Sequence, residues 1–297
     1  MITWILILIL AHFFYSLVFL LDKYILSAPK SNPITYSFYV GVMGIVILVL
    51  IPFGFIMPNR TEIFWSLVAG ISQIAAFIFF YKALNSGEGE VSRIVPYVGA
   101  ITSVFVLFFS SLIIKEFLTN QQIIAFVLLV LGSLVISFKK NKVFGNKIWW
   151  MASFAALFFA LFWVTTKYLF LGTNFISGLI WVRVGVAIIA LTLLLSKKNR
   201  KIIFSETKQS KPKTTGFFML GRILNVAGSL FIYWAVFLGS VSIVNALQGL
   251  QYLFVFVLAL LLFKKIPSMK EQFGKEFLVQ KIIAIVLICT GLGLLVI

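Results

Sequence analysis

Two arginines stand inside long apolar runs, Arg183 in WVRVGVAI and Arg222 in GRILNVAG. An arginine at the centre of a bilayer costs about 2.5–3.5 kcal/mol on insertion scales, so it must gain compensating interactions. Asp22, Glu62, Glu88, Glu90 and Glu116 fall at the ends of apolar runs, and Glu206, Glu271 and Glu276 lie between runs. No carboxylate inside a run is placed to neutralise either guanidinium. Two chemistries fit. The carboxylate or phosphate of a bound solute matches the planar guanidinium fork in bidentate geometry. Alternatively, the arginines bond backbone carbonyls freed at helix breaks, or snorkel to an interface. Arg222, eight residues after Thr214, is the nearer of the two to a run's end. His12, the one histidine, lies mid-run and titrates near neutrality. It suits either coupling to a proton or a structural hydrogen bond.

A polar stripe adds a second constellation. Asn245, Gln248 and Tyr252 recur at i, i+3 and i+7, which puts them on one helix face, with Gln251 beside them. Amides are poor neighbours for lipid, so this face looks inward, to line a cavity or to bond another helix. The corresponding face of an earlier run carries Pro96 and Thr102. Pro96 removes a backbone donor, and a freed carbonyl is tolerated at membrane depth only inside protein or beside a cavity. Asn225 and Gln73 are further inward polar candidates, while Trp163, Trp181, Tyr81 and Tyr233 supply either pocket walls or packing.

These residues must be positioned by elements that lipid, not water, surrounds. Of 297 residues, 62% are apolar and 11% charged, with a mean hydropathy of +1.11. A soluble domain carries about 45–50% apolar and about 25% charged residues. A net charge of +17 suggests nucleic acid in a soluble chain, but here the basic residues cluster in short segments between apolar runs. That pattern is membrane topology. The single Cys289 excludes an intrachain disulfide and a cysteine zinc site, and its apolar surroundings predict a small buried hydrophobe. No metal, cofactor or nucleic acid is implied.

Runs of about 20 apolar residues, enough to span the hydrocarbon core, occur at 2–22, 34–57, 63–84, 91–113, 121–138, 147–170, 175–196, 215–238, 243–263 and 280–297. The first has no basic leader and is followed by Asp22-Lys23, so it reads as a span rather than a cleavable signal. The lysine-rich stretch 197–214 predicts a mobile surface loop, and the middle of 264–281 a short interfacial helix.

The chain also repeats itself. DKYIL at 22–26 matches TKYLF at 166–170, GEVSRIVPYVG at 89–99 matches GSVSIVNALQG at 239–249, FFYKAL at 79–84 echoes FIYWAV at 231–236, and QQIIAFVLLVLG at 121–132 aligns with QKIIAIVLICTG at 280–291. The order and the spacing of roughly 150 residues hold throughout, which predicts a duplication into 1–140 and 146–297. Five spans is an odd number, so the second repeat lies inverted relative to the first. Inverted repeats characterise secondary transporters, where two interconvertible halves open a central site to either side. The fold expected is an all-α integral membrane protein of ten transmembrane helices, built as two inverted five-helix repeats.

The GxVS segments at Gly89–Ser92 and Gly239–Ser242, with KEFLTNQQIIAFVLLVLG at 115–132, resemble the drug/metabolite transporter superfamily, specifically proteins with two EamA-type domains. Arg183 falls where such domains often carry an arginine. The resemblance covers nearly the whole chain and implies a transporter without naming a substrate. Two positions depart from it: Gly41 stands near the place corresponding to Arg183, and the turn after the ninth run reads KKIP instead of an acidic turn.

The connections on one side of the membrane hold 20 basic residues and those on the other hold Arg60, Lys115 and Lys167. The positive-inside rule then places both termini of this inner-membrane protein outside the cytoplasm. The resemblance implies the opposite orientation; the bias in loop charge is the larger signal. The function expected is secondary transport or export of a small polar metabolite, an amino acid or organic anion, through a cavity between the repeats, with a coupling proton or ion as a further partner. Efflux of lipophilic cations is the alternative within that class, weakened by the lack of a buried carboxylate. A non-transporting regulatory component is a third reading. Enzymatic chemistry lacks a general base with an orienting carboxylate. The sequence specifies no oligomeric state.

Overall fold

The computed structural model describes residues 2–25, 32–86, 91–137, 145–209, 215–262 and 275–296. Within them each of the ten apolar runs is helical, and no strand forms among the described residues. The first half contains α1 (Ile2–Ile25), α2 (Pro33–Met43, continued as a 3-10 helix over Gly44–Phe53), α3 (Arg60–Leu84), α4 (Val91–Ile113) and α5 (Asn120–Ser137). The second contains α6 (Asn146–Gly172), α7 (Phe175–Thr192), α8 (Lys197–Gln209), α9 (Thr215–Leu238), α10 (Val241–Ala246), α11 (Gly249–Leu262) and α12 (Lys275–Val296). Among the described residues 7 helical segments are long and apolar enough to cross a membrane, and Thr3–Val18, Ile223–Leu238 and Val241–Val255 are shorter apolar helices. The chain is an all-helical, multi-pass membrane protein.

Asparagines set several helix starts. Asn32 Oδ1 accepts from Ile34 N at 2.9 Å ahead of Pro33, whose missing donor costs nothing at a helix start. Asn59 and Glu62 form a reciprocal capping box on α3, and Asn174 accepts from Ser177 N to open α7. Gly54 ends the 3-10 segment at φ 106°, a left-handed conformation that a side chain would strain. Its carbonyl accepts from Asn174 Nδ2 at 2.9 Å, and Ile56 N donates to Ser177 Oγ at 2.8 Å, tying the end of the second run to the start of α7.

The interior is packed through small residues, as helices in lipid require close backbone approach rather than hydrophobic expulsion. Ala152, Ala155, Ala156 and Ala160 of α6 are fully buried where α3 and α4 cross it. Gly70 of α3 and Gly185 of α7 face each other, and a Cβ on Gly185 would run into the Ser66 backbone. Gly185→Ala is expected to lower stability by about 1–3 kcal/mol through overpacking. Gly221→Ala, where nothing among the described residues lies within 4 Å of an added Cβ, should not lower the melting temperature in detergent, since alanine favours the helix over glycine. Outer faces carry Val46, Val49 and Phe117, each at least two-thirds exposed, a surface that only lipid accommodates.

The structure differs from the sequence expectations at three places among the described residues. Residues 197–209 of the expected surface loop form α8, because Lys and Arg are good helix formers and Ile203 buries one side of it against α2. Cys289 is exposed on α12, on the face that Ile282, Ile283 and Val286 also present, not buried. The ninth run divides into α10 and α11 at Leu247-Gln248. The expected interfacial helix within 264–281 lies outside the described residues as far as 274, and α12 begins at Lys275, ahead of the run at 280.

Candidate functional site

Arg183 sits midway along α7 and is half-buried. Its guanidinium carbon lies 5.0 Å from the centre of the Tyr233 ring on α9, a cation–π arrangement that favours the charge without neutralising it. Tyr15 of α1, bonded to Ser229, also falls within electrostatic reach of Arg183, Tyr233 and Tyr36. Tyr36 stacks on Tyr81 with centroids 4.1 Å apart, and Trp163 lies 5.6 Å from Tyr233. Tyr15 of α1 and Tyr233 of α9 thus lie near the one cation, and Tyr36, Tyr81 and Trp163 extend the ring contacts outward from them. The groups facing it carry hydroxyls and rings, and no carboxylate is among them in the described residues.

Gly44, where α2 passes into the 3-10 helix, lies against Arg183: a Cβ there would stand 3.8 Å from Nη1. A 3-10 stretch of 10 residues is long for that geometry, which rarely persists beyond one turn and often marks a hinge. Gly41, the departure noted at the position related to Arg183, packs instead against Ala190 of α7. Glycine on α2 therefore leaves room for one large cation from α7.

The polar stripe gathers at the break between α10 and α11. The turn is closed by short i→i+3 bonds, Gln248 N to Asn245 O at 3.1 Å and Gln251 N to Gln248 O at 3.1 Å. Asn245 is buried and donates from Nδ2 to Val241 O at 2.9 Å. Gln248 and Tyr252 reach α4, where a Cβ on Gly99 would meet Gln248 Oε1 at 2.8 Å and the Tyr252 hydroxyl at 3.0 Å. Tyr252 donates to Val95 O at 3.1 Å, beside Pro96. Proline in a helix removes one backbone donor, and the tyrosine ties α11 to α4 next to that position. Thr102 bonds Ala156 O of α6 at 3.4 Å.

The other expected residues lie on α1, α3, α7 and α9. His12 is 2% exposed, and neither ring nitrogen has a partner among the described residues. Gln73 is buried with its Oε1 unpartnered among them. Asn225 is half-buried on α9. Trp181 stacks near Phe55 at 5.8 Å rather than on Arg183. Arg222 falls within α9, but its side chain lies outside the described residues.

Sequence reasoning missed a polar constellation. Lys167, counted as a loop charge, is 8% exposed and donates to Val236 O, Phe237 O and Gly239 O at 2.9, 3.1 and 2.8 Å. Glu116 accepts at its Oε1 from Ser240 Oγ, Ser242 N and Ser242 Oγ at 2.8, 3.1 and 2.8 Å, and at Oε2 from Val241 N at 3.2 Å. The ammonium thus sits on the carbonyl end of α9 and the carboxylate on the amide end of α10, each opposite in sign to the local helix dipole. Ser110 extends the chain through its hydroxyl contact with Ser242 at 2.8 Å. The recurrence of lysine in DKYIL and TKYLF was the available signal.

Residues 2–138 match the model of the EamA-like transporter family. No curated protein sequence matches the chain significantly. Among solved structures 27 chains match. One of them, described simply as the crystal structure of a protein, superimposes with a TM-score of 0.64 over 97% of this chain and 96% of its own, at 15% identity. That identity speaks for the fold alone. The chain is therefore similar to the EamA-like transporter family over its first half, and to a solved all-chain fold over nearly its whole length.

Proposed function

We propose that the protein is a secondary transporter or exporter of a small polar metabolite carrying a negative group, an amino acid or organic anion, and that Arg183 recognises that group. The observation that carries this reading is a mid-span guanidinium, half-buried among tyrosines, with no facing carboxylate among the described residues. The break at Gln248 supports it, since discontinuous helices form transporter sites near the midplane. Asn245 and Gln248 supply the remaining polar contacts at that break, with Gln73 and Trp163 on the neighbouring walls. The match of residues 2–138 to a transporter family agrees in kind.

The two halves, 1–140 and 146–297, act as inverted five-helix repeats of the EamA type. Helix pairing supports this: α3 packs on α6 as α1 packs on α9, which is the exchange of partners that such a repeat requires. Reconstitution into liposomes with labelled solutes tests the function directly. Uptake or exchange of anionic and zwitterionic solutes is expected, and transport restricted to purely cationic solutes overturns the reading. In a Cys289→Ala background, Arg183→Cys should react with a membrane-impermeant thiol reagent in at least one transport state. A folded variant that never reacts argues for a purely structural arginine.

Orientation follows from the loop charges, 20 basic residues against 3, with both termini outside the cytoplasm. A reporter active only in the cytoplasm is expected to be silent when fused at Ile297 and active when inserted near Lys208. The reverse pattern inverts the assignment.

A further inference from the structure

The corner between α7 and α8 combines two surfaces that a phospholipid needs. Ile188 and Leu191 on α7 and Leu195 in the 3-10 turn that follows it are 46%, 46% and 84% exposed, an apolar stripe along the outer side of this corner. Ser196 alone separates it from the start of α8 at Lys197. Lys197, Arg200 and Lys201 follow at once, with Phe204 and Ser205 on the same helical face, and together they line an open hollow of about 510 Å³. All three cations are exposed, and Lys198 stands beside them. Ile203 fixes the opposite face of α8 against α2, so the basic face is held outward by packing rather than by chance. The first acidic residue along this helix is Glu206, five positions beyond Lys201.

We propose that this corner binds the headgroup of an anionic phospholipid, with the phosphate among Lys197, Arg200 and Lys201 and the acyl chain along Ile188, Leu191 and Leu195. The alternation of an apolar stripe and a basic stripe along one corner is what distinguishes a lipid from a soluble anion. A free phosphate would need the basic hollow alone and gain nothing from Leu195. Clusters of lysine and arginine next to a span attract anionic lipid within a Debye length of the surface, and Phe204 suits the headgroup boundary. The site is independent of Arg183 and of the transport reading.

The test uses the full chain in nanodiscs of phosphatidylcholine alone or of equal parts phosphatidylcholine and phosphatidylglycerol. Anionic lipid held at about 100-fold its dissociation constant should raise the melting temperature by about 5 °C. K197Q/R200Q/K201Q should melt like the wild type in phosphatidylcholine and lose most of the rise in the mixed lipid, with K201Q intermediate. Neutralising as many cations elsewhere, in K139Q/K140Q/K142Q, should leave the rise intact. An equal melting temperature of the wild type in both lipids overturns the proposal. So does an equal loss in this control triple variant, which would mark an effect of net charge. Inorganic phosphate added to phosphatidylcholine nanodiscs should give little rise; a full rise would reassign the hollow to small anions.

Discussion

Arg183→Lys will cut transport of an anionic or zwitterionic solute by about 10–100-fold, because a charge-assisted hydrogen bond contributes about 1.5–3 kcal/mol and each 1.4 kcal/mol is tenfold. Lysine keeps the positive charge but loses the planar fork, and its compact ammonium cannot present two parallel donors to one carboxylate. It also loses the face-on contact that holds the guanidinium 5.0 Å from the Tyr233 ring. Arg183→Gln removes the charge as well and should be at least as severe. Folding should suffer little in either variant, since the arginine is half-buried and its facing groups are rings and hydroxyls. Asn245→Ala should act more mildly: one neutral hydrogen bond, here to Val241 O at 2.9 Å, contributes about 0.5–1.5 kcal/mol. The measurement is initial rate in proteoliposomes, normalised to protein amount and melting temperature. Unchanged kinetics in both Arg183 variants would remove the arginine from recognition.

Lys167→Met should destabilise the protein more than any substitution at the arginine. It leaves three carbonyls at the end of α9 without their donor, and each unsatisfied buried group costs about 1–3 kcal/mol. Water and relaxation recover part of that, so the net loss expected is about 3 kcal/mol, a fall of about 5 °C in melting temperature for a chain of this size. Glu116→Ala should be comparable, because it strips two amides and two hydroxyls at the start of α10 of their acceptor. Glu116→Gln keeps an oxygen and should recover much of the difference. The two residues hold opposite sides of one junction, so the double variant should lose less than the two single losses added, by about 0.5–3 kcal/mol. Strict additivity would show two independent caps rather than one clamp. The clamp also ties the fourth–fifth connection to the α9–α10 junction, joining the two halves at one end of the bundle.

Much of this molecule is legible in one dimension. The lipid environment follows from composition, since 11% charged residues cannot coat a water-facing surface. The positions of the helices follow from run length, and the structure begins or ends most of them within a few residues of the apolar boundaries. Arg183 announces itself by cost: an arginine deep in an apolar run needs a reason that a lysine in a loop does not. The amides of the ninth run announce themselves by periodicity, although the face they share turns out to cross a helix break.

Other features depend on which helices meet. Lys167 reads as an ordinary helix-end cation, because its burial is created by α9 and α10, some seventy residues further along the chain. Glu116 likewise looks like a turn residue until the start of α10 arrives against it. The approach of Tyr15 and Tyr233 to Arg183 joins three segments that no spacing rule relates. α8 escapes a hydropathy reading for a different reason: its apolar face is only Ile202 and Ile203 wide, and its stability comes from the contact with α2. In a membrane the backbone bonds are satisfied within each helix, so sequence alone determines where the helices are. Lipid gives no hydrophobic force to choose their partners, so glycine contacts, polar clamps and ring clusters that exist only in three dimensions decided how they pack, and with it the surroundings of Arg183.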